Sequence, residues 1–191
     1  WGFVAEVKPG APIYWCGEQD SSWTVTENWR DAGGNCRAPV DTDEIIIRAG
    51  CPNWPVMESG TKVQNAFRVD SGAEFTIRDC TLYATNAFVS EGTVRLEGNV
   101  RVVCSNAVSL TGSTLLAGPQ SVFRLEGPTD QSVDPAGCAF HRFEIEKGAG
   151  DVTFGSGFAA DVLDVKTTGP VMLAFAPGET VAATEAYVRG C

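Results

Sequence analysis

The glycines of this chain recur at one spacing, and that spacing constrains the fold more than any other feature. Apolar-led segments end at Gly50, Gly72, Gly92, Gly112, Gly148, Gly169 and Gly190, with intervals of 22, 20, 20, 36, 21 and 21 residues. Three of them open on Asn-Ala, at Asn65-Ala66, Asn86-Ala87 and Asn106-Ala107. Gly98, Gly118 and Gly155 follow the first glycine of their units by six or seven residues. Short apolar-alternating runs lie between, at 93–97, 113–117 and 151–154, and a third set follows at 100–103 and 122–125. Each unit of about twenty residues therefore holds three short strands and three corners.

A strand of four or five residues cannot bury its apolar face alone. If the chain turns three times and returns above itself, each strand pairs in parallel with its copy in the next unit. The coils then stack about 4.8 Å apart. Inward side chains form a continuous core, and Gly and Asn supply the backbone conformations that tight corners need. The preferred hand of parallel crossovers makes the coil right-handed. The expected fold is all-β, a right-handed parallel β-helix. An antiparallel sandwich would need seven glycine positions to fall into register by coincidence. The interval of 36 reads as one coil plus an insertion. The polar, turn-rich stretch at 127–138 is then expected to project from the coil as a loop.

Composition bounds the partners. The formal net charge is −10 and the pI near 4.5, which excludes the clustered cations that nucleic acid requires. No run of 18 apolar residues is present to span a membrane. No leader peptide is visible at Trp1, so the sequence reads as a mature form or as part of a longer chain. Seven cysteines without a Cys-x-x-Cys pair, beside a single His, argue against a zinc site. They point to disulfides in an oxidising compartment, outside the cell. The candidates are Cys16, Cys36, Cys51, Cys80, Cys104 and Cys138. Because the count is odd, Cys191 is expected to be free or to pair with another chain. A Cys16–Cys36 staple and a Cys104–Cys138 link are the pairings that sequence position suggests.

Residues 1–44 lack the repeat and hold Trp1, Trp15, Trp23 and Trp29, four of the five tryptophans. A solenoid needs a cap where its core meets water, and this segment is the natural one, leaving 45–191 for the coil. Its motif is Ser22-Trp23-Thr24-Val25-Thr26-Glu27-Asn28-Trp29, then Pro39, then Asp41-Thr42-Asp43-Glu44 before Ile45-Ile46-Ile47. That motif resembles the head of bacterial secreted and surface β-helix proteins. The stretch 143–165 is similar to adhesin-like and autotransporter-passenger repeats of the pectin-lyase-like type. The resemblance implies an extracellular coil whose use is adhesive, structural or polysaccharide-cleaving.

Candidate chemistry is sparse. His141 has no companion nucleophile motif. Asp41, Asp43 and Glu44, or Asp130 and Asp134, are the carboxylates that could hold Ca²⁺, although no calcium-loop pattern surrounds them. Trp54, between Pro52 and Pro55, is expected to be exposed and able to stack on a sugar, with Asp130 and Asp134 near it on the outer face. Arg68, Arg95, Arg101, Arg124 and Arg142 are expected to point outward from strands, with no converging acid set. The expected function is an extracellular structural or adhesin-like module, part of a larger surface protein or of a self-associating assembly, and not an enzyme. The coil ends without a cap and is therefore expected to be covered there by more of the same chain, by a partner or by a second copy. The alternative is a β-helix that binds or cleaves a surface carbohydrate.

Overall fold

The computed structural model describes residues 10–190, so Trp1 and Cys191 lie outside the described residues. The chain is a parallel β-solenoid of about seven turns, each of about 21 residues. Every turn visits three faces in the same order.

The first face stacks Glu44–Ile47, the later half of Thr61–Val69, the later half of Thr81–Ser90, Ala107–Ser109, Gln131–Asp134, Val152–Phe154 and Leu173–Phe175, all in parallel. The second face begins with Val56–Glu58, Glu74–Arg78, Thr93–Glu97 and Thr114–Ala117. The third carries the first halves of Thr61–Val69 and Thr81–Ser90, then Arg101–Cys104 and Val122–Glu126, then the ends of Ala139–Lys147, Phe158–Thr167 and Val181–Arg189.

Alternation within these strands builds the core, because successive side chains point to opposite faces. One inward column on the first face runs Ile13, Ile45, Phe67, Phe88, Val108, Val133, Phe154 and Phe175. A second, on the third face, runs Leu82, Val102, Phe123, Phe143, Leu163 and Ala186. Aromatic rings meet across the interior. Phe143 lies 4.6 Å from Phe158, 4.8 Å from Phe140 and 5.8 Å from Phe123, centroid to centroid.

The corners explain the glycines. Gly112 sits at φ +78° with open space around it, so its task is the left-handed backbone itself. Gly92 is needed for a different reason. A Cβ there would come within 2.4 Å of the Ala73 carbonyl oxygen on the turn below.

The irregular interval has another cause than an insertion. Gly72, Gly92 and Gly112 stand at the corner between the first and second faces, whereas Gly148 and Gly169 follow third-face strands. The 36-residue gap thus compares two different corners. Residues 127–138 form no projecting loop. Their middle is the strand Gln131–Asp134, paired on one side with Ala107–Ser109 and on the other with Val152–Phe154.

The head is part of the same core. Pro12–Trp15 pairs in parallel with Glu44–Ile47 and antiparallel with Trp29–Asp31. Trp15 and Trp29 pack edge to face at 4.9 Å, Trp29 and Trp23 at 4.6 Å, and Trp23 reaches Phe67 and Phe75. Asn28 is fully buried and organises the loop before it. Its Oδ1 accepts from the backbone N–H of Gln19 and Asp20, and its Nδ2 donates to Asp20 Oδ1 and the Ser22 carbonyl. The Asn-Trp motif is therefore a folding device of the head.

Candidate functional site

The third face carries the densest charge. The repeat spacing places Arg124, Glu144 and Asp164 in register on adjacent turns. Glu144 accepts from Arg142 Nε at 2.7 Å, Arg124 Nε at 2.8 Å and Arg101 at 3.0 Å. Asp164 accepts from Arg142 at 2.5 Å and Arg189 at 2.6 Å. Glu146 bridges Arg124 at 2.8 Å and Lys166 at 3.0 Å. Burial alone would raise the Glu144 carboxyl, but the Arg142 and Arg124 donors and the charge of Arg124 and Arg101 hold it below its ordinary value. A groove of about 230 Å³ runs along this ladder. Each carboxylate here has a cationic partner on its own or a neighbouring turn, so the arrangement ties turns together. It does not present a free acid and base. Several partners are partly exposed, and such pairs contribute about 0–1 kcal/mol each. The arginines do point outward, as alternation requires. The expectation of no converging acid set is corrected: Glu144 and Asp164, which follow Arg124 at twenty-residue intervals, gather the arginines on one face.

A second feature lies beside the head. A cleft of about 600 Å³ is lined by Tyr14, Cys16, Arg30, Asp31, Arg48 and Cys51, among others. The Arg48 guanidinium stacks on Tyr14, 3.9 Å from the ring centroid. Arg30 is paired with Glu18 and also donates to the Glu27 and Trp29 carbonyls.

A third is a smaller cavity of about 320 Å³, bounded by Trp23, Asp41, Lys62 and Gln64 where the head meets the first third-face strand. Gln64 is 4% exposed, and among the described residues its Oε1 has no hydrogen-bond partner. It stands in the inward column above Ala84 and Cys104. An unpaired buried acceptor costs about 1–3 kcal/mol. Gln64→Leu is therefore expected to raise the urea midpoint, corresponding to a gain of about 1–2 kcal/mol. A fall in the midpoint would show that the amide is paired in solution.

The sequence-derived candidates are not brought together. Trp54 is half-buried and packs against the core, and is not the fully exposed ring expected from its flanking prolines. Asp130 Oδ1 caps the Asp151 N–H at 2.9 Å. Asp134 accepts from Thr111 Oγ1 at 2.9 Å, from Ala136 N at 3.1 Å and from Ser156 Oγ. These donors hold its carboxyl below the ordinary value, Ser156 first among them. Asp43 is buried and bound by both Arg37 nitrogens, at 2.5 and 2.8 Å, and by the Val40 N–H. These carboxylates serve turns and ion pairs. Among the described residues no three His, Cys, Asp or Glu side chains cluster as cation ligands. His141 pairs with Asp161 at 2.9 Å on the next turn.

The cysteine pairings also change. The six described cysteines are free thiols. Cys80, Cys104 and Cys138 are buried, and they lie near three different corners of the coil. Cys104 and Cys138 are therefore not neighbours. Cys36 follows Asn35, whose carbonyl takes the Asp31 N–H opposite Ile13. At about 3.3 Å per residue, that puts Cys36 roughly 10 Å from Cys16, beyond disulfide reach. Cys191 lies outside the described residues.

The last described turn of the solenoid leaves core positions exposed. Val188 continues the inward column of Leu125, Ile145 and Val165, yet it is 78% exposed. Phe175, stacked on Phe154 at 4.7 Å, is 42% exposed, and Tyr187 and Met172 are exposed beside them. Among the described residues Val181–Arg189 is paired on one edge, to Phe158–Thr167.

Comparison with protein-family models, with curated proteins and with solved structures finds no significant match, so the fold and these surfaces carry the functional argument.

Proposed function

We propose that this chain is an extracellular structural module, adhesin-like in use, that joins a second copy of itself through the last described turn of its coil. The observation that carries this reading is the exposed last turn. Among the described residues nothing covers its inward-facing Val188 and Phe175, and none pairs with its outer strand edge. The opposite end differs, because on the first face Trp29–Asp31 covers the outer edge of Pro12–Trp15.

The charge ladder supports a scaffold role, since its ion pairs bind one turn to the next. The extracellular placement rests on the acidic balance and on seven cysteines in 191 residues. The carbohydrate alternative needs Trp54 and a projecting loop. Less supports it, because Trp54 packs on the core and the stretch 127–138 holds a strand of the coil.

Sedimentation of the 191-residue chain in reductant tests the proposal, because reductant removes any contribution from Cys191. A concentration-dependent dimer is expected, and Val188→Lys is expected to shift it to monomer with an unchanged circular dichroism spectrum. A wild-type chain that stays monomeric at every concentration overturns the reading.

A further inference from the structure

We infer that Cys16 and Cys51 form an intrachain disulfide when the protein meets an oxidising thiol–disulfide pool, locking the head onto the first turn of the coil. Among the described cysteines this is the pair that the topology brings together.

Trp15 and Ile47 are parallel partners, so the chain leaves the sheet at the same level after each. The segment after Ile47 then folds back. The Cys51 Sγ donates to the Trp15 carbonyl at 3.2 Å and to the Arg48 carbonyl at 3.4 Å. Two residues on, the Asn53 carbonyl accepts from Trp15 Nε1 at 2.7 Å, and Asn53 Nδ2 donates to the Gly17 carbonyl at 2.8 Å. Segments 15–17 and 51–53 are thus laced together on both sides of Cys16. The Trp15 carbonyl belongs to the peptide that leads into Cys16, which puts the Cys16 Cα within about 6 Å of the Cys51 sulfur by standard peptide dimensions. That separation is bridged by side-chain rotation. Both thiols line the same open cleft and both are half-exposed, so a small oxidant reaches them.

The chemistry balances as two exchanges. The Cys16 thiolate attacks one sulfur of a small-molecule disulfide, such as oxidised glutathione, and expels one thiolate. The Cys51 thiolate then attacks the Cys16 sulfur of the mixed disulfide and expels the second. Two protein S–H bonds are lost and one S–S bond forms, while the small disulfide is reduced to two thiols. Burial, and then the neighbouring Cys16, push the Cys51 thiol above its ordinary value, so its thiolate is scarce at neutral pH. The closed loop encloses Trp23, Trp29 and the Arg37–Asp43 pair, so the link would hold the packed head in place.

The test oxidises the folded chain with glutathione disulfide, blocks residual thiols with N-ethylmaleimide and maps the peptides without reduction. A linked Cys16–Cys51 peptide is expected, with a higher Tm than the reduced protein. Cys51→Ser is expected to remove both effects, and the Cys16→Ser/Cys51→Ser double variant to melt with the reduced wild type. The inference is overturned if Cys16 and Cys51 both carry maleimide after oxidation. It is equally overturned if either is mapped to Cys36 or Cys191. Neither outcome bears on the pairing of the open end, which is measured in reductant.

Discussion

Phe143→Ala is expected to lower the free energy of unfolding by about 3–5 kcal/mol, the range for truncating a buried aromatic ring. Phe143 is fully buried in the interior of the third face. Its ring meets Phe123 on the turn before, Phe140 on its own turn, and Phe154 and Phe158 on the turn after. Those neighbours belong to stacked rungs whose backbones are held by parallel ladders on both sides. They cannot collapse into the vacated space without breaking register, so the cavity persists and the upper part of the range applies. The check is a pair of urea transitions with equal m-values. Phe175→Ala supplies the contrast, because that ring is already 42% exposed and its loss should cost far less. A drop below about 1 kcal/mol for Phe143→Ala would mean that the aromatic column is not packed as one core.

Lys147→Met is expected to cost about 3 kcal/mol, because the exchange strands several buried acceptors at once. Lys147 is 2% exposed at the end of a third-face strand. Its Nζ donates to the Gly127 carbonyl at 2.9 Å, the Thr129 carbonyl at 2.9 Å and Gln131 Oε1 at 3.0 Å. Gln131 Nε2 in turn donates to the Cys104 and Asn106 carbonyls. One ammonium thus satisfies the corner at 127–130 and orients the amide that satisfies the corner below. Methionine keeps the stem but none of the donors, so the loss reports the hydrogen bonds more than the packing.

The same site has a pH signature. Desolvation lowers the Lys147 amine below its ordinary 10.5, against the pull of Asp130 and Asp151. The folded state therefore releases this proton before the unfolded state does. Stability rises with pH from the lowered folded value up to the unfolded one, and is flat in this contribution on either side. The slope in that alkaline window should be present in wild type and missing in Lys147→Met. An identical slope in both proteins would mean that Lys147 titrates in water.

Much of this architecture is legible in the residues. Alternation at 74–78, 93–97 and 122–126 gives strands with one inward face. The twenty-residue recurrence gives stacking, since strands this short have no other way to bury their apolar sides. The tryptophan-rich head reads as a cap, and the structure joins Trp15, Trp23 and Trp29 to the phenylalanine column of the coil. The period does not say which corner a glycine occupies. A turn can hold its length while residues pass from one corner to another. Gly112 and Gly148 look alike in sequence, yet they close different faces, and a loop expected at 127–138 is a strand for that reason.

Pairing between turns depends on the same hidden register. The acids that gather Arg101, Arg124 and Arg142 lie one or two turns away along the chain, and cysteines close in sequence order face different corners. Polar residues at inward positions are the hardest to foresee. Lys147 and Gln131 satisfy each other and their corners, whereas Gln64 leaves an oxygen unpaired at the edge of the core. Local pattern and chain period, read from the residues alone, determine that the chain coils. Only the closed turns, by fixing which side chains meet across a corner, decide where its polar groups, thiols and open end lie.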